Sequence, residues 1–124
     1  MEFRLIVTIF SKDNSFNELK HLLAYTFKTE PIETKLPISG EINATIQNYR
    51  GNSKDYELFI NSPSIENAVF DLLIQLETFG YDWKFRKPIK LFDNKYTFVA
   101  DLFPEFGTFY SQNLCGMVAI LNEL

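Results

Sequence analysis

One cysteine, one histidine and five isolated glycines are all that this 124-residue sequence offers to the commoner site chemistries. With Cys115 alone, no intrachain disulfide can form, which fits a reducing compartment. A single Cys and a single His cannot build a structural zinc cage, and neither H-x-x-x-H nor C-x-x-C spacing occurs. The glycines at 40, 51, 80, 107 and 116 never cluster ahead of a helix, so a glycine-rich phosphate loop is excluded. The 16 acidic residues are scattered without a D-x-D pair, which leaves no local carboxylate site for magnesium. Long hydrophobic runs are also missing: nothing approaches the roughly 18–20 apolar residues that span a bilayer. The opening MEFRLIVTIF carries Glu2 and Arg4 within its apolar stretch and runs into SKDNS, so no signal peptide is expected. A cytoplasmic protein follows from these features.

Positive charge is in short supply. Twelve Lys and Arg stand against 16 Asp and Glu, a net charge of −4, which disfavours nucleic acid and anionic membranes as partners. The one basic stretch runs from Asp82 to Lys95, where Lys84, Arg86, Lys87, Lys90 and Lys95 outnumber Asp82 and Asp93. Such a run reads as a solvated face. His21 lies about 150° from the apolar stripe of its helix and belongs to the polar face. Ser or Cys would have to reach that exposed imidazole to make a nucleophilic pair. No catalytic residue, metal or cofactor is therefore expected, and the chain does not read as an enzyme.

Aromatic residues, in contrast, are abundant: 13 Phe, 6 Tyr and 1 Trp make up 16% of the chain. Each buries on the order of 150–250 Å², so they fill a core and leave rings over for recognition. Hydrophobic residues at 46% and charged ones at 23% mark a globular chain of one domain's length, residues 1–124.

The periodicities give an α+β order. FRLIVTIF (3–10) is apolar on both faces, as an interior strand is. Ser15-x-x-Glu18 makes a capping box for a helix that carries Phe16, Leu19, Leu22, Leu23 and Phe27 on one stripe and ends before Pro31. Residues 31–40 hold two prolines and read as a loop or poor edge strand. EINATIQNY (41–49) and DYELFIN (55–61) alternate on either side of turn chemistry, which predicts a hairpin with Glu57 toward solvent. Ser62 as N-cap and Pro63 as first residue open a second helix, with Ile65, Val69, Leu72, Leu73, Leu76 and Phe79 inward and Gly80 at its end. YDWKF, then IKLF and YTFVADLF around Asp93-Asn94-Lys95, predict a strand and a further hairpin. Leu114, Met117, Val118, Leu121 and Leu124 fall at helical spacing and predict a C-terminal helix with Cys115 on its flank. The expected architecture is an antiparallel or mixed sheet with helices mainly on one face. Its first six elements follow the ferredoxin-like βαββαβ order, and a hairpin and a helix follow them.

Two places hold more apolar surface than that core needs. On the second helix, Phe70 and Ile74 fall on the side opposite the buried arc, among Glu66, Asn67, Asp71, Glu77 and Thr78. Exposing such a pair forgoes roughly 3–5 kcal/mol of transfer free energy, so a cover is expected: the C-terminal helix, residues 101–110, or a partner protein. In DLFPEFGTFY (101–110), Pro104 and Gly107 break any period. Phe103 and Phe109 are expected inward, which leaves Phe106 and Tyr110, beside Asp101 and Glu105, as anchors.

Small acidic α+β chains rich in Phe, Asn and Lys resemble the immunity proteins of bacterial toxin systems and phage-encoded inhibitors. The succession of FRLIVTIF, SFNELKHLLAYTF, a long mid-chain helix and FPEFGTFYS is also similar to an uncharacterised bacterial domain family. The resemblance implies a binding protein that occludes a toxin or enzyme, its acidic residues meeting a basic cleft. The partner-binding set expected on this reading is Phe70, Ile74, Phe106 and Tyr110, with Glu66, Asp71 and Glu105 steering a basic partner. Two other readings stand beside it. One is a small-ligand sensor with a pocket lined by Tyr81, Trp83 and Phe85. The other is a homodimer, in place of a monomer, that buries Phe70 and Ile74.

Overall fold

A computed structural model of the chain describes residues 1–12, 16–35, 52–77, 83–85, 89–91, 95–102 and 114–124. The elements are β1 (Glu2–Ser11), α1 (Phe16–Phe27), β2 (Ile32–Thr34), β3 (Asn52–Asn61), α2 (Ile65–Leu76), β4 (Trp83–Phe85), β5 (Ile89–Leu91), β6 (Lys95–Leu102) and β7 (Leu114–Glu123). All strand pairs are antiparallel, in the order β2-β3-β1-β7-β6-β4, with β5 also paired to β6. The fold is α+β, as its periodicities indicate.

β1 is the interior strand its two apolar faces call for. It pairs with β3 on one side, from Glu2↔Asn61 to Ser11↔Asn52, and with β7 on the other. Phe3, Leu5, Val7 and Ile9 point to one face of the sheet, where they join Tyr56 and Leu58 of β3 and Met117, Ala119 and Leu121 of β7. Both helices cover that face. α1 contributes Leu19, Leu23 and Phe27, and α2 contributes Ala68, Leu72 and Leu76. Ile6, Phe10, Val99, Val118 and Ile120 form a second buried cluster on the opposite face.

The C-terminal helix does not form; residues 114–123 are the strand β7, seated between β1 and β6. A run such as LCGMVAILN is apolar at nearly every position, so it satisfies a helical stripe and a two-faced central strand equally. The neighbours decide. Met117, Ala119 and Leu121 fill the helix-covered face while Val118 and Ile120 fill the other, a demand that one helical stripe cannot meet. Gly116, a weak point in a helix, is at home here. The register steps between Phe10↔Gly116 and Ser11↔Leu114, which leaves Cys115 as the extra residue of a bulge.

The ferredoxin-like order is also not what the sheet shows. β2, β3 and β1 lie side by side, but the place on the far flank of β1 is taken by β7, not by the strand that follows α2. β4 lies beyond β6, opposite Ala100 to Leu102, and β5 pairs with Thr97 to Lys95. The arms of the hairpin expected at Asp93–Lys95 are thus in place, with Leu91 opposite Lys95. Residues 55–61 are part of β3, whereas the expected strand 41–49 and the capping residue Ser15 lie outside the described residues.

α1 ends at Phe27, and Lys28 takes a positive φ of 54°. Thr26 Oγ1 donates to the Leu22 carbonyl at 2.8 Å, a back-bond within the last turn. β2 is the edge strand allowed by the proline-rich sequence, paired to β3 through Ile32↔Glu57 and Thr34↔Asp55.

Candidate functional site

α2 begins two residues later than its sequence suggests. Ser64, extended at φ −154° and ψ 166°, is the N-cap, and its Oγ accepts from the Asn67 amide at 3.2 Å. Ser62 cannot fill that role. Its own amide donates to the Met1 carbonyl at 2.9 Å, so the chain there still belongs to the sheet. From this start the helix turns Ala68, Leu72 and Leu76 fully inward, with Ile65 and Val69 packed at the margin.

That phase places Phe70 and Ile74 outward. Phe70 is 62% exposed and Ile74 51%, one helical turn apart. Of the covers weighed within the chain, the C-terminal helix is a sheet strand, and residues 103–110 lie outside the described residues. Glu66 and Asp71 are exposed on the same helix, and Glu77 is exposed at its C-cap. Between Asp55 and Trp83 the sequence has no Lys, Arg or His at all, so every charge that α2 itself brings to this surface is acidic. Glu105, Phe106 and Tyr110, the other expected partner-binding residues, lie outside the described residues. Asp101, expected beside them at the surface, is instead buried at the end of β6.

A second group was not anticipated. On the sheet face away from the helices, Arg4 Nε donates to Glu57 Oε2 at 2.7 Å, and its Nη2 lies 2.5 Å from the same oxygen. Glu57 is thus half-buried in an ion pair, not turned to solvent. The alternation placed it correctly away from Tyr56 and Leu58, but the face it enters is a packed one. One step along, Thr8 Oγ1 donates to Asp55 Oδ1 at 2.6 Å. Outward of the ion pair, Ile32 is 54% exposed and Phe59 43%. Ile32 lies opposite Glu57, and Phe59 lies opposite Arg4. The signal was available: Arg4 and Glu57 each stand between apolar neighbours, both off the core-facing register.

The neighbouring carboxylates Asp55 and Glu57 on this face are each engaged by a different β1 side chain, Thr8 and Arg4. Asp55 on β3 and Asp101 on β6 occupy one row with Thr8 and Val118 between them, roughly 14 Å apart by strand spacing. Among the described residues, no three His, Cys, Asp or Glu side chains group closely enough to hold a metal ion. His21 is exposed, as its helix phase indicates, and lines a depression of about 350 Å³ with Asn17, Lys20, Ala24 and Glu30. Lys20 Nζ sits 3.6 Å from Glu30 there. Cys115 is half-buried against the second cluster. Trp83 and Phe85 lie on the short strand β4, and Tyr81 falls outside the described residues. No helix among the described residues is long and apolar enough to cross a membrane.

No protein-family model and no curated protein matches this sequence.

Proposed function

We propose that this chain is a non-catalytic protein-binding module, of the kind represented by immunity proteins and enzyme inhibitors, that presses the outer face of α2 against a basic protein. One observation carries the reading. Phe70 and Ile74 stay exposed side by side on a capped helix whose own charges are all acidic. An apolar centre with a charged rim has the anatomy of an interface. A two-residue ridge of this kind fits a groove on the partner, as amphipathic helices do when they act as ligands. Acidic charge around it speeds encounter with a basic cleft and repels acidic competitors. Covering such a cleft would block access by an anionic substrate, which is how a protein without reactive groups inhibits an enzyme.

Affinity capture from an extract of the native host tests this. Wild-type chain should retain a basic protein that a folded Phe70→Ser/Ile74→Ser variant loses, and the purified pair should associate more slowly as salt rises. An identical captured set from both forms would overturn the reading.

A further inference from the structure

We draw no further inference here: the strongest candidate, the outer face of α1 where exposed Tyr25 stands one turn from His21 and the depression that His21 lines, carries nothing, because the charges around it, Glu18, Lys20, Lys28 and Glu30, are of both signs and nothing in the structure shows what covers it.

Discussion

The Arg4 guanidinium closes on a single oxygen of Glu57, with Nε at 2.7 Å and Nη2 at 2.5 Å, joining two strands from a diagonal position. Neither side chain is fully buried, at 25% and 18% exposure, so the attraction is neither screened as on an open surface nor set in a dry interior. Because side chains alternate along a strand, a slip of one residue between β1 and β3 would part the pair and turn Phe3 and Leu5 out of the core. Arg4→Met or Glu57→Gln alone should cost about 1–2 kcal/mol by leaving a half-buried charge without its partner. The double variant should cost less than the sum of the two, read from urea unfolding midpoints in a double-mutant cycle.

Neighbouring positions on α2 should respond very differently to truncation. Leu72 is fully buried, and Leu72→Ala should destabilise by about 2–5 kcal/mol. Phe70→Ser and Ile74→Ser, on the exposed side, should stay within about 0.5 kcal/mol of wild type. Chemical denaturation of the three variants measures the contrast. A large loss at Phe70 would mean that the ring is packed within the chain.

Lys28 holds a left-handed conformation, at φ 54°, that glycine adopts without steric cost. It is exposed, so its side chain has little packing to lose. Lys28→Gly should therefore raise stability by about 0.5–1 kcal/mol, seen as a higher unfolding midpoint. Lys28→Val should lower it.

Burial, and then the negative charge of Glu33, push the Tyr56 hydroxyl above its ordinary pKa of 10.0. The folded state thus prefers the neutral phenol. The stability this contributes is complete below pH 10.0 and falls away as pH climbs from there through the raised folded-state value. Tyr56→Phe should resist alkaline unfolding better than wild type above that pH, followed by circular dichroism across an alkaline titration.

How much of this could be read in the sequence depended on how many faces each segment had to satisfy. α2 has one buried arc, so its phase was legible and placed Phe70 and Ile74 outward before any coordinates. β1 was legible because Arg4 and Thr8 interrupt an alternation long enough to name it a strand. β7 was not legible. With nearly every position apolar, its period carries no information, and only the two clusters it joins distinguish strand from helix. The Arg4–Glu57 pair was hidden for a related reason, because its two halves lie on strands whose pairing is not local. The start of α2 moved because the Ser62 amide is held by Met1, a contact from the far end of the chain.

The position of β7 bears on how the molecule is made. As synthesis proceeds, β1 emerges first and can pair with β3, but its other flank faces water until residues 114–123 arrive. Until then the nascent chain carries an apolar, unpaired strand edge, the kind of template that promotes aggregation. Closure of the sheet between its earliest and latest strands requires a long loop to be drawn together, which slows the last step. Mutations that weaken β7 should therefore show themselves first as poor yield in cells and only secondarily as a lower melting temperature.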